Sequence, residues 1–400
     1  MKKKVAIVVD GLQIGGIERV CLDYIKIFIK LGYSVTLFNL RPKLSDLEKE
    51  IPSQVSIINV PFARRFSPEQ YTQLIKKNLF YKLCFPLIYF ILLCLNYIYK
   101  LYCKLVYKAC RTQFDISVAF SSHFNDLTFV AEHYVKSSYT MAWCHGALYG
   151  YLLISDGFIN LYNRIKNIVV LVDDAQREVE ITNKQLHLKI FKLYNPSFIK
   201  KREVDKNKVS ELRKKYGRFL LMVSRFEYPH KDHFTVLKAF NMLRTLYKRK
   251  LDLVLVGDGP SLNDVKKLAS SFSSSVSKHI HFMGPRFDVQ NYYAAAYLLV
   301  HASVAGEGLP TVMIEAMNYG LPEVVTDSKV GPREILGNNE YGLLSKVENP
   351  TDFAVQINKL LGNPNLYKFY QHNESERVKD FKPNNIKKQL QKILEKIQNE

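Results

Sequence analysis

The chain has 400 residues, 47% hydrophobic and 24% charged, which excludes wholesale disorder and fits two or three globular domains. Lys and Arg number 57 against 37 Asp and Glu, a formal net charge of +20 that calls for anionic partners: nucleic acid, acidic lipid or phosphorylated small molecules. The six cysteines (Cys21, Cys84, Cys94, Cys103, Cys110, Cys144) include no C-x-x-C pair, which argues against structural zinc and thioredoxin-like redox chemistry; most fall in apolar runs and read as buried reduced thiols.

From the N-terminus, Met1-Lys2-Lys3-Lys4 is followed by VAIVVDG, too short an apolar core for a signal peptide; the expectation is a cytosolic chain. Val5–Val9 reads as a strand, followed by a glycine turn and a helix near Ile17–Leu31, and Ser34–Leu40 reads as a second strand. Residues 60–111 hold nine Lys and Arg against one acid, Glu69. The same segment contains the most apolar run, the 17 residues Leu83–Tyr99, interrupted by Pro86 and Asn96 and at the lower limit for a membrane span. Beyond it Lys100, Lys104 and Lys108 recur every four residues and are expected to line one helical face beside Leu101, Leu105 and Val106. Such a helix suits the headgroup region of an anionic membrane; a buried helix with a solvated lysine face and a true span are the alternatives.

Strand-like runs follow at Ile116–Phe120, Tyr139–Trp143, Ile168–Val172 and Lys189–Leu193. A polar, lysine-rich linker is expected at Tyr194–Lys208. Alternation restarts with strands at Phe219–Val223, Leu251–Val256, His279–Phe282, Leu298–His301 and Glu323–Thr326. Helices fit at Asp232–Leu246, Leu262–Ser271, Thr311–Tyr319 and Thr351–Leu361, a serine-rich loop at Ser270–Ser277, and an amphipathic helix at Asn384–Glu400. Strand–helix alternation predicts parallel α/β architecture. The expected organisation is a Rossmann-like domain over 1–195, a second over 196–380, and a helix over 381–400 packing back on the first. Ligands of such sheets bind beyond the carboxyl ends of the strands, so a cleft between the domains is the default site.

Five motifs carry candidate chemistry. Asp10–Arg19 holds Gly15 and Gly16 before a helix, where a backbone can approach an anion, or simply pack tightly. In Ser224-Arg225-Phe226-Glu227-Tyr228-Pro229-His230-Lys231, two cations six apart follow a strand; they suit a diphosphate, or are solvated surface charges. Val256–Pro260 carries Gly257 and Gly259 in a turn whose flat backbone suits a nucleobase, or is an ordinary turn. Glu307 and Glu315 stand eight apart around Gly308 and Pro310, with Pro310 suited to a helix start and the amides from Leu309 through Thr311 to Val312 free for phosphate. Thr326–Leu336 follows a further strand and opens a short helix. No D-x-D metal motif stands in the amino half.

The order of GGIERV, WCHG, YNP, SRFEYPHK, VGDGP, FMGPR, EGLPTVMIEAMNYGLP, TD..VGPREIL and YGLL resembles the retaining nucleotide-sugar glycosyltransferases of family 4, from Val5 to about Leu361. The resemblance implies the GT-B fold, two Rossmann-like domains facing a central cleft, and looks most like bacterial enzymes of capsule, O-antigen or exopolysaccharide synthesis. It implies that Arg225 and Lys231 bind the donor diphosphate, Glu307 the donor sugar and Glu315 the ribose. Gly16, with Gly15, would face the phosphates, and His145 would lie near the transferred sugar and acceptor. The loops Val256–Gly259 and Met283–Arg286, including Pro285 and Arg286, would form the nucleobase pocket. Neither cofactor nor metal is expected. The implied partners are a nucleotide sugar, UDP-linked by family prevalence, and a polyprenyl-diphosphate-linked saccharide at the inner face of the cell membrane. Tyr297, Val304 and Glu323 depart from the family pattern. An epimerase-like enzyme would need a nicotinamide fingerprint and Y-x-x-x-K, which are missing at suitable places. Nucleic-acid binding would leave the paired glutamates unexplained.

Overall fold

A computed structural model describes residues 2–13, 15–145, 148, 156–172, 187–196, 202–304, 309–328 and 331–399. Of the motif residues, Ile14, Gly146, Glu307, Gly308, Lys329 and Val330 lie outside these, as do residues 197–201 of the expected linker.

The chain divides into two units, Met1–Pro196 with Pro383–Glu400, and Ser197–Lys382. The first is built on β1 (Lys4–Val9), β2 (Ser34–Asn39), β3 (Ser56–Asn59), β4 (Gln113–Ala119), β5 (Lys136–Cys144), β6 (Asn167–Val170) and β7 (Lys189–Lys192). They form a parallel seven-stranded sheet in the order β3-β2-β1-β4-β5-β6-β7. Val5 to Val9 are all buried, as a strand covered on both faces requires. Helix α1 (Gly16–Lys30) packs Tyr24 edge-on against the fully buried Trp143, ring centroids 4.7 Å apart. The helix Pro383–Asn399 closes this unit: Gln398 accepts from Lys3 Nζ at 2.7 Å, and its carbonyl accepts from Tyr139 Oη at 3.1 Å.

The second unit has β8 (Phe219–Val223), β9 (Asp252–Val256), β10 (Ile280–Phe282), β11 (Leu298–His301), β12 (Glu323–Thr326) and β13 (Leu343–Ser345), parallel in the order β10-β9-β8-β11-β12-β13. In each sheet the strand order reverses once, beside β1 and β4 and beside β8 and β11. These are the switch points at which open parallel sheets form crevices. The strands β3 and β13 and the helix Pro364–Arg377 are additions to the elements expected from sequence. The expected linker is partly helical, because Asp205 accepts the amides of Asn207 and Lys208 and starts a helix at Lys206. The serine-rich stretch is not a plain loop: its first residues end one helix, and Ser274–Ser277 forms a single turn.

The apolar segment differs most from expectation. It forms one helix, α2 (Leu79–Val106), 28 residues and about 42 Å long at 1.5 Å per residue. Pro86 and Asn96 do not interrupt it. Asn78 caps its start by accepting the Tyr81 amide, and Asn96 faces inward, its amide donating to the Phe66 carbonyl. Phe85, Asn96 and Cys103 are buried, and Tyr99 stacks on Phe66 at 3.8 Å. The opposite face is apolar and uncovered within this unit: Leu79, Leu83, Leu87, Phe90, Ile98 and Leu105 are each 62 to 75% exposed. The lysine stripe is not formed. The backbone leaves helical geometry at Tyr107 (φ −102°, ψ 103°), so Lys108 starts a separate turn, Lys108–Arg111. Lys100 and Lys104 are half-buried, and burial followed by Lys104 holds Lys100 below the ordinary lysine value, with Glu132 opposing.

Glu323 on β12 and Glu374 on Pro364–Arg377 are fully buried. Burial pushes both carboxyl groups well above their ordinary 4.5, and Glu323 raises Glu374 further. The folded state keeps these protons where the unfolded chain has lost them. The stability contributed by these two groups is therefore fullest below pH 4.5 and declines as pH rises toward the folded values, by up to about 1.4 kcal/mol per pH unit per proton. We expect the loss of Tm between pH 5 and pH 8 to be smaller for Glu323→Gln than for wild type. Equal losses, read by calorimetry, would refute a protonated Glu323.

Candidate functional site

Each unit places candidate residues at its own sheet edge. In the second, the segment leaving β8 holds Arg225 and Lys231. The Lys231 amide donates to Glu227 O at 2.8 Å, and the Asp232 amide to Ala302 O, just past β11, at 2.8 Å. Val304 N reaches Pro229 O at 3.0 Å. These bonds tie the loop after β8 to the loop after β11, across the switch point. Lys231 Nζ lies 3.5 Å from His301 Nε2, and Arg225, 71% exposed at its side chain, pairs loosely with Glu227 at 3.4 Å. Beneath them His233 stacks on Phe226 at 3.8 Å and meets Ser224 Oγ at 3.1 Å; burial holds its imidazole down to about 3, so it is neutral.

Gly257 and Gly259 have φ of +136° and +157°. A Cβ on Gly257 would come within 2.0 Å of Ser224 O, and one on Gly259 within 2.5 Å of Phe226 O. The amide of Phe226 donates to Asp258 O, and that of Ser261 to Phe226 O. The VGDGP turn is thus the backing that fixes the Arg225 loop, rather than a bare backbone open on that side. Gly257 N also donates to Gly284 O, which joins the loop after β10, where Pro285 and Arg286 are exposed.

Leu309 is half-buried and Pro310 buried. Pro310 is the N-cap residue, one place before the expected first turn, and the helix is Thr311–Met317. The Met313 amide already donates to Pro310 O. Glu315 on this helix accepts from Tyr293 Oη at 2.8 Å, and burial raises its pKa while Tyr293 and Arg202 oppose. Asp327 of the fifth motif takes Arg333 in a two-pronged ion pair, so that motif is an anchor for its own helix. Of the departures from the family pattern, Tyr297 stacks on Tyr367 at 4.6 Å and lies under Arg218, a packing role. Glu307 and Gly308 fall outside the described residues.

In the first unit Gly15 caps α1 in extended geometry, and a Cβ there would meet the Glu18 carboxylate at 2.3 Å; a Cβ on Gly16 would meet nothing within 4 Å. His145, just past β5, bonds Phe120 O through Nε2 at 2.7 Å. Burial holds it down to about 4, so it is neutral at pH 7, and the bond to a carbonyl assigns the proton to Nε2 and leaves Nδ1 an acceptor. At the β1/β4 switch point stands a group that sequence reasoning missed. Buried Asp10 accepts from Asn125 Nδ2 at 2.9 Å and Arg41 at 2.9 Å, with His123 Nδ1 at 3.3 Å. Asp10 raises the His123 pKa against its burial. The available signals were an aspartate ending the first strand and the polar SSHFND following the fourth.

Residues 203–377 match the family model of glycosyl transferases group 1. The Anabaena HepE structure in complex with UDP is 19% identical and superposes with a TM-score of 0.68 over 99% of this chain and 100% of that one. The fold is GT-B. The chain is 28% identical over 177 residues to the N-acetylgalactosamine-N,N'-diacetylbacillosaminyl-diphospho-undecaprenol 4-alpha-N-acetylgalactosaminyltransferase of Campylobacter jejuni, 44% of this chain and 46% of that protein. It is 27% identical over 157 residues to the amylovoran biosynthesis glycosyltransferase AmsD of Erwinia amylovora, 39% of this chain and 43% of that protein. The chain thus spans less than half the length of these curated relatives.

The two-loop packing makes a direct prediction. Gly259→Ala forces backbone apart at Phe226 and should destabilise the second unit by about 2 kcal/mol or more. Denaturant unfolding checks it; a loss below about 0.5 kcal/mol would show that the turn is not tightly backed.

Proposed function

We propose that this protein is a retaining glycosyltransferase that moves a hexose or N-acetylhexosamine from a nucleotide sugar, UDP-linked, to a lipid-linked saccharide during synthesis of a bacterial capsule, O-antigen or exopolysaccharide. The observation that carries it is the pairing of Arg225 and Lys231 on one loop at the switch point of the unit that matches a glycosyltransferase family. UDP in the HepE structure and undecaprenol diphosphate in the name of the Campylobacter relative favour these donor and acceptor classes.

In this reading Arg225 and Lys231 stabilise the diphosphate as it leaves, as fixed cations do for developing negative charge without a divalent metal. Glu307 meets the donor sugar. Glu315, oriented by Tyr293, accepts from the ribose hydroxyls. Pro285 and Arg286 border the base, and Leu309, Pro310 and Thr311 border the phosphates; in the first unit Gly15 and Gly16 offer backbone to an anion at the start of α1. His145 offers Nδ1 to a sugar hydroxyl and has no second proton to give at pH 7. Transfer is a front-face displacement: the acceptor oxygen bonds to the anomeric carbon on the side from which the phosphate departs. The departing phosphate oxygen takes the hydroxyl proton, so no second carboxylate nucleophile is required.

The protein works from the cytoplasm, peripheral on the inner membrane face. Support comes from the exposed apolar face of α2, bounded by exposed Lys76, Lys77 and Lys82 at one end and Lys108 and Arg111 at the other. Lys100 and Lys104, half-buried, contribute charge from the flank.

Nucleotide sugars incubated with membrane extract, read by mass of the extended lipid, test the reaction. Lys231→Ala and Glu307→Ala should each lower kcat about 10²-fold or more, the scale of losing one transition-state contact. EDTA should leave transfer intact. Near-wild-type transfer by both variants would refute the site. For the membrane, Leu83→Asp with Leu87→Asp should abolish flotation with anionic liposomes, while Lys108→Ala alone weakens it. Flotation unchanged in the double variant would refute membrane docking through α2.

A further inference from the structure

Beside the sheet of the first unit lies an open groove with a volume of about 960 Å³, at the upper end of ordinary ligand pockets, about 300–1,000 Å³. Leu40 and Phe62, from the segments following β2 and β3, line one side. The other is the outer half of α2, through Leu95, Ile98 and Tyr102. Ile98 and Tyr102 are 62% and 49% exposed, so the groove runs without a break into the apolar face of the helix. Its charged lining residues are Arg41, Lys43 and Arg65, all exposed, and none of the lining residues is acidic. Arg41 reaches from this rim to Asp10, at the β1/β4 switch point.

An apolar trough with a cationic rim, opening along a membrane-type helix face, has the complementarity of an amphiphile with a strongly anionic head and a long hydrocarbon chain. We infer that the groove binds the lipid acceptor, taking the isoprene units nearest the head of a polyprenyl diphosphate while Lys43, Arg65 and Arg41 hold the diphosphate. The inference rests on the lipid-linked acceptor proposed above and gives it a place. The cations hold the diphosphate where groove meets sheet edge, and the Arg41–Asp10 contact connects that point with His123 and Asn125. The saccharide beyond the diphosphate then lies over this polar group, and the more distal isoprenes follow α2 into the bilayer. A free nucleotide or sugar phosphate makes no use of the apolar walls. A neutral lipid makes no use of the rim.

The test uses the full-length chain in non-ionic detergent and a benzophenone-bearing farnesyl diphosphate as photoprobe, with crosslinked peptides mapped by mass spectrometry. Label is expected on Pro61–Phe66 and Leu95–Tyr107, competed by farnesyl diphosphate much better than by farnesol or inorganic diphosphate. Lys43→Glu with Arg65→Glu should weaken probe binding roughly tenfold or more, the loss of charge-assisted contacts. Ile98→Trp should reduce labelling by narrowing the groove. All three positions lie at the surface or rim, and UDP binding by calorimetry should be unchanged in these variants. Label elsewhere, wild-type affinity in the charge-reversed variant, or equal competition by farnesol or by inorganic diphosphate would each overturn the inference. Protein that turns over a nucleotide sugar but fails to label in the groove sinks this inference alone. Groove labelling without nucleotide-sugar turnover sinks the transferase reading and leaves the groove standing.

Discussion

The constraint on which the rest depends is that both sheets are parallel and their central strands are apolar. Strands such as Val5–Val9 and Leu220–Met222 have no room for polar side chains. Most polar chemistry therefore falls where the chain leaves a strand, and the polar residues within central strands, Ser117 on β4, His301 on β11 and Glu323 on β12, are buried. The strand order then selects among those ends, because only where it reverses do two neighbouring loops diverge and leave space. In the first unit that place collects Asp10, Arg41, His123 and Asn125. In the second it collects Arg225, Lys231 and the segment beyond His301.

The loops at the second switch point are tied to one another and to their backing turn chiefly by backbone hydrogen bonds. Ser224 and Phe226 exchange main-chain hydrogen bonds with the 256–261 turn, and Asp232 with Ala302. Two glycines allow the first contact at distances that no Cβ tolerates. The exposed Arg225 and the half-buried Lys231 thus stand on a base fixed by main-chain hydrogen bonds. The first unit uses buried side-chain hydrogen bonds instead: Asp126 accepts the amides of Ser121 and His123, each at 2.8 Å, and so shapes the turn that presents His123.

Much of this was legible in sequence, for physical reasons specific to each element. Apolar runs located eleven of the strands to within a few residues, but Ser56–Asn59 was missed because it is short and only half apolar. Arg225 and Lys231 stood out by spacing, and both lie on the loop after β8; of the two glutamates picked out by spacing, Glu315 lies on the helix Thr311–Met317 and Glu307 lies outside the described residues. Asp10 and His123 did not, since their partnership spans more than a hundred residues and is made only by β1 lying beside β4. The lysine periodicity beyond Tyr99 misled because counting by fours assumes an unbroken helix, and the backbone turns at Tyr107. Glu323 was visible as an oddity among apolar residues, but its neighbour Glu374 became visible only in the fold.

The helix Pro383–Asn399 belongs to the unit that begins the chain, while the whole of Ser197–Lys382 lies between. During synthesis the second unit is therefore complete before the first can be. A ribosome that has released residue 382 has delivered every strand of both sheets, yet the Tyr33 and Tyr139 side of the first sheet still lacks its cover, held later by Gln398. The unit that starts first finishes last, and during that interval its uncovered edge is the part of the nascent chain most in need of protection from other chains.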